Sequence, residues 1–202
     1  MISLPGRLVL ASTSRYRFAQ LERLGLEFEV CAPPIDEEAL VADGPRDTVA
    51  LRAAFKACAV QELPEFEEAW IIGADQGVVF REDDGSERLI GKPGDEDAAV
   101  AQLMELSGRS HELFTAVALA LPGGRLVEAN TSVHVVMRAF AEDEARAVVQ
   151  RDQSWDCAGS YKIEAGGPWL MERVSCDDPT AIEGLPLMIL GAMLRKAAGG
   201  LS

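Results

Sequence analysis

Residues able to hold a phosphate follow the first apolar run of the chain. Ser12, Ser14 and Arg17 come directly after LVLA and open the helical pattern RYRFAQLERLG. Hydroxyl groups, free backbone N–H groups and guanidinium groups at the positive end of a helix dipole bind anions. An ordinary serine cap with solvated arginines explains the same residues, so both interpretations stay open.

Two acidic positions could act on water or hold a cation. Asp75 ends the apolar run WIIGAD and is followed by Gln76, while Glu37 lies in the acidic run IDEE. A buried carboxylate needs a partner, so Asp75 is either functional or an exposed turn residue. Glu37 could supply a second carboxylate for a hard cation such as Mg²⁺, or belong to a solvated loop.

Two lysines are further candidates for a site that binds phosphate groups. Lys56 lies on a long helical pattern, and Lys92 lies in the tight loop GKP. Lone lysines are usually on the surface, but lysines, arginines and hydroxyls can together hold a polyphosphate while carboxylates hold Mg²⁺ and activate a water. The residue types therefore suggest phosphoryl chemistry, without a GxxxxGK[ST] or GxGxxG loop to support P-loop or Rossmann binding.

The elements that must position these residues follow from hydrophobic patterning. Short apolar runs predict strands, and apolar residues at three- and four-residue spacing predict helices. We predict strands over 7–11, 26–32, 70–75, 112–121, 126–138 and 170–174, and helices over 15–24, 45–59, 98–106, 141–150 and 187–198; GVVF and Leu89-Ile90 form a predicted hairpin. The mixture lacks strict βαβ alternation, which predicts an α/β fold with a mixed central sheet and flanking helices.

Composition limits the class of protein. The chain has 202 residues and a formal net charge of −14, which excludes sequence-independent nucleic-acid binding and argues against docking on an anionic membrane. No apolar stretch is long enough for a membrane helix, and the N-terminus MISLPGR does not resemble a signal peptide. The four cysteines are widely spaced, so we expect neither a disulfide nor a zinc site, and a cytoplasmic location.

Several motifs, in a fixed order, resemble one family. LVLASTSRYRFAQLERLGL, IDE, GADQ, GKP, LSGRSHELFTAVAL, CAGSYKIE and EGLPL follow the order found in Maf proteins, which are nucleoside triphosphate pyrophosphatases. The resemblance covers nearly the whole chain. It implies a Maf/inosine-triphosphatase-like fold, a single domain over 1–202 with two lobes around a cleft, dependence on Mg²⁺ or another divalent cation, and a homodimer. The implied reaction converts a nucleoside triphosphate to its monophosphate and diphosphate.

The same resemblance implies a role for each matching residue. Asp75 falls at the family's proton acceptor and, with Glu37, at the position of its metal-binding acids. The phosphate-binding positions are occupied by Ser12, Ser14, Arg17, Lys56 and Lys92. The residues alone do not decide whether Asp75 acts as the base, as a metal ligand or as both.

Three further positions resemble the branch that hydrolyses 7-methyl-GTP. Tyr16, Gln76 and Glu164 occupy the specificity positions of that branch, where a carboxylate and an aromatic face would favour the cationic methylated base. Tyr16 stands where Trp is usual, and Phe18 replaces the second arginine of the common pair. A dTTP/UTP or broad noncanonical pyrophosphatase therefore stays open, as does a nucleotide-binding regulator of cell division without turnover. Glu164 as a plain surface residue also stays open.

Overall fold

The chain folds into two compact units. The computed structural model describes Leu4 and residues 6–199. The first unit comprises the described residues up to 75, residues 115–131 and those from 178 onward; the second comprises 76–114 and 132–177. The predicted single domain over 1–202 stays a prediction. Both its ends lie outside the described residues, as does most of the N-terminal stretch expected to lack an export signal.

The described residues form one seven-stranded sheet. Its strands are β1 (Leu8–Ala11), β2 (Glu29–Cys31), β3 (Trp70–Arg81), β4 (Glu87–Ile90), β5 (Ser110–Leu121), β6 (Arg125–Met137) and β7 (Met171–Cys176). The strand order is β2-β1-β3-β5-β6-β7, and β4 pairs with β3. β1 is parallel to β2 and β3, whereas the β3–β4 and β6–β7 pairs are antiparallel. The predicted mixed α/β fold is confirmed.

Five α-helices accompany the sheet in the described part of the chain. They are α1 (Arg15–Glu22), α2 (Pro45–Gln61), α3 (Glu96–Leu106), α4 (Glu142–Asp152) and α5 (Leu187–Ala197). Ser14 caps α1 and Asp95 caps α3, each by accepting a backbone N–H, and Pro45 suits the first turn of α2. None of the described helices is both long and apolar enough to cross a membrane.

The first unit is built around the buried strand β1. All four residues of β1 are buried, and Leu8 and Leu10 share a core with residues from β3, β5 and α5. The largest side chains of that core include Leu10, Leu21, Trp70, Ile72, Leu119 and Leu190. This apolar packing supports the polar loops that leave β1 and the polar residue that interrupts β3.

In the second unit, residues from the continuation of β3 and from the helices α3 and α4 are buried. Val78 and Phe80 from β3, Leu103 from α3 and Val149 from α4 are all inaccessible to solvent. His111 is buried as well, and its Nε2 lies 2.8 Å from the Tyr161 hydroxyl oxygen. His111 is therefore a packing and hydrogen-bonding residue of the second unit.

Most element ends differ from the sequence prediction by one or two residues, and β3 and β2 differ by more. β3 was predicted to end at Asp75 but continues to Arg81, because Asp75 finds a cationic partner and the following GVVF stays buried. α1 ends at Glu22 rather than two residues later. β2 covers only Glu29–Cys31, with the apolar residues before it left outside the strand.

Candidate active site

A buried lysine links two carboxylates in the first unit. Lys56 Nζ lies 2.6 Å from Glu37 Oε2 and 2.8 Å from Asp75 Oδ1. The side chains of Lys56 and Asp75 are 3% and 10% exposed, whereas Glu37 is 47% exposed. Within the described residues Asp75 Oδ2 accepts no hydrogen bond. One Asp75 oxygen is therefore held by an ammonium group while the other stays available to a water or a ligand.

Close packing of α2 on β3 brings Lys56 to Asp75. A Cβ atom on Gly73 would lie 2.2 Å from the Ala53 carbonyl oxygen and 2.7 Å from the Ala57 backbone nitrogen. Only glycine permits this approach of a helix to a strand. Lys56 leaves the facing side of α2 and also donates to the Ala74 carbonyl oxygen at 3.5 Å. The expectation that a lone lysine lies on the surface is wrong for Lys56.

The loop between β1 and α1 is shaped by its own hydroxyls. Ser12 Oγ is buried and accepts the Ser14 backbone N–H at 3.1 Å, and Ser14 Oγ accepts the Arg17 backbone N–H at 3.4 Å. Each serine thus has a structural task, as the capping interpretation requires. The hydroxyl protons stay available to donate to an anion.

Arg17 is fixed beside the acidic pair. Its Nε donates to the Gly184 carbonyl oxygen at 3.0 Å, which ties α1 to the segment that contains EGLPL. Burial lowers the pKa of the Arg17 guanidinium, and the negative charges of Asp75 and Glu37 oppose that shift. An arginine remains charged under such conditions. The structure thus brings Arg17, Lys56, Asp75 and Glu37 into one charged group.

Tyr16 already carries a cation on its ring. The Arg15 guanidinium carbon lies 4.9 Å from the ring centroid, and Arg15 Nη2 donates to the Tyr16 hydroxyl at 2.8 Å. A second cation, such as a methylated base, would have to use the opposite face or displace Arg15. The predicted aromatic position is present, but it is partly occupied by the chain's own side chain.

The remaining predicted residues belong to the second unit. Gln76 follows Asp75 within β3 and is half-buried. Lys92 is exposed in a loop held by a Gln102-to-Gly91 hydrogen bond of 3.1 Å. Glu164 is exposed in a turn and, within the described residues, forms no side-chain hydrogen bond or ion pair. Lys92 and Glu164 are therefore accessible to a ligand.

The donor set suits a magnesium ion held jointly with a substrate. The described residues contain no cluster of three or more His, Cys, Asp and Glu side chains able to form a complete cage. Glu37 and Asp75 do share one cationic neighbour, and Mg²⁺ is commonly bound by one or two carboxylates together with substrate phosphates and waters. These two residues fit the predicted role. None of the four cysteines forms a disulfide bond within the described residues.

Sequence reasoning missed two structural residues. Asp178 accepts the backbone N–H groups of Met188 and Ile189 and so caps α5. Its place before a Pro-Thr pair marks it as the cap of the short 3-10 helix Pro179–Glu183, where it accepts the Thr180 backbone N–H at 3.0 Å, but no local pattern marks its contact with α5. Asp152 receives contacts from the segment containing Glu164, and no local pattern marks this long-range role.

Comparison with known proteins decides the family. A family model described as Maf-like protein matches residues 7–197. The chain belongs to the Maf-like family. The match includes every predicted site residue, from Ser12 to Glu164, and it confirms the resemblance seen in the ordered motifs.

Relatives in the Maf-like family match nearly end to end. A 7-methyl-GTP pyrophosphatase of Burkholderia orbicola is 41% identical over 197 residues, covering 96% of this chain and 90% of the relative. One of Thiobacillus denitrificans is 42% identical over 192 residues, covering 94% and 91%. One of Xanthomonas campestris pv. campestris is 39% identical over 191 residues, covering 95% and 96%.

A solved structure shares the fold of this Maf-like chain. The Staphylococcus aureus Ham1 protein aligns with a TM-score of 0.52 and 17% sequence identity, covering 95% of this chain and 99% of that protein. At this identity the likeness describes the fold alone. It agrees with the predicted Maf/inosine-triphosphatase-like architecture.

Proposed function

We propose that this chain hydrolyses 7-methyl-GTP to 7-methyl-GMP and diphosphate, using Mg²⁺ or another divalent cation. The observation that carries the proposal is the charged group of Arg17, Lys56, Asp75 and Glu37 in a Maf-like chain. The relatives' names support the substrate. Membership of the family and those relatives make the chain a nucleotide pyrophosphatase; the methylated base is the finer part of the proposal.

Asp75 is the proposed proton acceptor. Its Oδ1 is held by Lys56, so its Oδ2 has a defined direction and can accept a proton from a water that attacks the α-phosphorus. The new bond joins the water oxygen to the α-phosphorus, and the α–β anhydride bond breaks to release diphosphate. Lys56 keeps the carboxylate oriented before and after the proton moves.

Arg17, Ser12 and Ser14 are the proposed phosphate ligands of the first unit, and Lys92 that of the second. Phosphoryl transfer depends on positioning and on neutralising charge on the non-bridging oxygens and the leaving group. Arg17 suits this task because it stays charged and because Gly184 fixes its direction. Lys56 remains a proposed phosphate ligand, and we propose that it also holds the two carboxylates, since both already contact its ammonium group.

Charge balance supports the need for a cation. Arg17 and Lys56 are matched by Glu37 and Asp75, so this group has no net positive charge to offer a triphosphate. Glu37 and Asp75 would hold a divalent cation, which supplies charge neutralisation and Lewis acidity when bound. Removal of divalent cations is therefore expected to abolish turnover.

Glu164, Gln76 and Tyr16 are the proposed specificity residues. N7-methylguanine is cationic, and an unpaired exposed carboxylate at Glu164 favours it electrostatically and can accept hydrogen bonds from the guanine edge. Arg15 on the Tyr16 ring makes Tyr16 the weaker member of this set. A cytoplasmic location and a homodimer also remain predictions.

A substrate panel tests the proposal. We would measure diphosphate release from 7-methyl-GTP, GTP, dTTP, UTP and inosine triphosphate, with Mg²⁺ and with chelator. We expect the highest kcat/KM for 7-methyl-GTP, and we expect no diphosphate release from any of these nucleotides when a chelator is present. Equal or better turnover of dTTP would favour the dTTP/UTP branch, and tight binding without turnover of any nucleotide would favour the regulator.

Glu164→Gln tests the base specificity separately. It removes a negative charge while keeping the shape, so kcat/KM for 7-methyl-GTP should fall about tenfold and that for dTTP should change little. Glu172→Gln, on the exposed strand β7, is the matched control and should match wild type. A uniform loss across bases in Glu164→Gln would contradict the role.

A further inference from the structure

The turn that carries Glu164 is fastened at both ends to one residue, Asp152. We propose that Asp152, the last residue of α4, is a positioning residue that fixes Glu164 for recognition of the base. The inference rests on the proposed function and extends it to a residue that contributes no group to the nucleotide. The contacts that carry it all lie in the second unit.

Asp152 makes contacts on both sides of Glu164. Its backbone carbonyl oxygen accepts from Lys162 Nζ at 2.6 Å, two residues before Glu164. Its carboxylate Oδ2 accepts the Gly166 backbone N–H at 2.6 Å, two residues after Glu164. The Asp152 side chain is only 3% exposed and is itself oriented by Arg151 Nε at 2.7 Å from Oδ1. Buried, charge-assisted hydrogen bonds of this kind are strong and directional.

The turn between these two contacts is closed by its own backbone. The carbonyl oxygen of Lys162 accepts the N–H groups of Ala165 at 3.2 Å and Gly167 at 2.9 Å. Glu164 therefore lies in a tight turn whose first residue supplies both a backbone acceptor and a side-chain anchor. The turn thus fixes the backbone position of Glu164, while its side chain, which has no hydrogen-bond or ion-pair partner within the described residues, is oriented only when a ligand binds.

Close contacts with neighbouring residues restrict the backbone conformation of this turn. A Cβ atom on Gly166 would lie 2.1 Å from Arg151 Nη2 and 2.5 Å from Asp152 Oδ2. A Cβ atom on Gly167 would lie 2.6 Å from the Lys162 carbonyl oxygen. Glycine is needed at Gly167 because the clash there is with backbone, whereas a side chain at Gly166 would displace the side chains of Arg151 and Asp152.

The segment that leads into the turn is also constrained. Among the described residues, the only non-glycine residues with positive φ are Gln153 at 49° and Ser160 at 61°. Both conformations are disfavoured and persist where surrounding contacts enforce them, often beside functional sites. Here Ser154 Oγ donates to the Ser160 carbonyl oxygen at 2.7 Å, and Ser160 Oγ donates to Gln102 Oε1 at 2.5 Å.

This arrangement matches what base discrimination requires. A backbone segment held in its binding geometry before the ligand arrives loses less conformational entropy on binding. A glutamate on a loose loop would attract a cation from many positions, whereas one on a fixed turn reaches only the region around its own Cα and so can select a cationic base by position. Asp152 supplies that fixation through two contacts, of which a substitution of its side chain removes the one with the Gly166 amide and leaves the carbonyl contact with Lys162 in place.

Hydrogen exchange tests the positioning without any nucleotide. In Asp152→Ala, the Gly166 amide loses its acceptor, and we expect the Gly166 and Gly167 amides to exchange at least about tenfold faster than in wild type. Asp152→Asn keeps an acceptor oxygen and should restore most of the protection. Asp97→Ala, which removes an exposed carboxylate from α3, is the matched control and should leave these amides unchanged. Unchanged exchange in Asp152→Ala would overturn the proposal.

A double-mutant cycle tests the functional consequence. We would compare the ratio of kcat/KM for 7-methyl-GTP to that for dTTP in wild type, Asp152→Ala, Glu164→Gln and the double variant. Asp152→Ala should lower the ratio about as much as Glu164→Gln, through KM, and the double variant should be no lower. Additive effects, or an equal loss for both nucleotides, would overturn the proposal.

The two experiments separate this inference from the proposed function. If wild type does not prefer 7-methyl-GTP, the proposed substrate is wrong, and the exchange data still decide whether Asp152 fixes the turn. If Asp152→Ala does not fold, Lys162→Met removes the other anchor and should increase exchange at the Ala165 and Gly167 amides. No increase in that variant would contradict the proposal.

Discussion

Lys56, through its buried ammonium group, is the residue on which the charged group of the first unit depends. Its positive charge compensates the carboxylate of Asp75, which is almost completely buried, and the carboxylate of Glu37, which is partly exposed to solvent. A lysine in this position orients two carboxylates that would otherwise repel each other. The same contact explains why a strand can continue through an aspartate.

Lys56→Met keeps the apolar stem and removes the charge. It leaves Asp75 buried without a partner, so we expect the free energy of unfolding to fall by about 3 kcal/mol and kcat to fall at least about a hundredfold. Urea denaturation and diphosphate release measure the two effects. Lys196→Met, on the exposed face of the last turn of α5, is the control and should change neither. Wild-type stability in Lys56→Met would contradict the assigned contacts.

Local sequence patterns predict the contacts of some residues and fail to predict those of others. The Ser14 cap and the Asp95 cap could be predicted, because a cap depends only on residues three positions away. The pairing of Lys56 with Glu37 and Asp75 could not, because it joins three segments that only the fold brings together. The same reason hides Asp152, whose partners lie ten and fourteen residues further along the chain.

At the scale of elements, the contact between α2 and β3 sets the geometry of the site. Gly73 allows the backbone of α2 to approach β3, and the approach directs Lys56 toward Asp75. The hydrophobic pattern predicted both elements correctly but ended β3 at Asp75, because periodicity counts an acid as the end of a buried strand. The strand continues because Lys56, which belongs to α2, pairs with Asp75 and so allows an acid inside a buried strand.

Gly73→Ala tests the packing of these two elements. The added methyl group would overlap the Ala53 carbonyl, so we expect the free energy of unfolding to fall by about 3 kcal/mol with a parallel loss of kcat. Gly191→Ala is the matched control. Its Cβ would lie 3.5 Å from Arg195 Nη1 within helix α5, where alanine is the better helix former, so stability should be unchanged or slightly higher. Equal thermal denaturation midpoints for the two variants would contradict the close approach.

For the whole molecule, the formal charge of −14 and the polyanionic substrate are compatible. The charge excludes an extended basic surface for nucleic acid, but it does not prevent a few cations from gathering at one place. Arg17 and Lys56 do so in the first unit, where acids balance them. The family and fold could be predicted from ordered motifs over nearly the whole chain; the substrate depends on few residues, so the 7-methyl-GTP assignment drawn from Tyr16, Gln76 and Glu164 stays a prediction.

The stability of the whole molecule should depend on pH through His111. Burial lowers the pKa of His111 to about 4, from an ordinary value of 6.5. The unfolded chain therefore binds a proton that the folded protein excludes, and stability falls as the pH decreases from about 6.5 toward 4. Between pH 7.5 and 5.5 this residue should lower the free energy of unfolding by about 1 kcal/mol.

His111→Gln isolates this contribution from that of the carboxylates. The variant lacks the titrating group, so the difference between its urea stabilities at the two pH values should be smaller than that of wild type by the same amount. His134→Gln, at an exposed position of β6, serves as the control and should keep the wild-type difference. An unaltered pH dependence in His111→Gln would contradict the buried neutral imidazole.

The most direct test of the account is diphosphate release from 7-methyl-GTP by wild type and Asp75→Asn. The amide can still accept from Lys56, so the fold should be kept while the proton acceptor is lost. We expect kcat to fall about a thousandfold in Asp75→Asn, with the exposed control Asp83→Asn at the wild-type rate. Asp75→Asn with activity within about twofold of wild type would contradict the central role of Asp75.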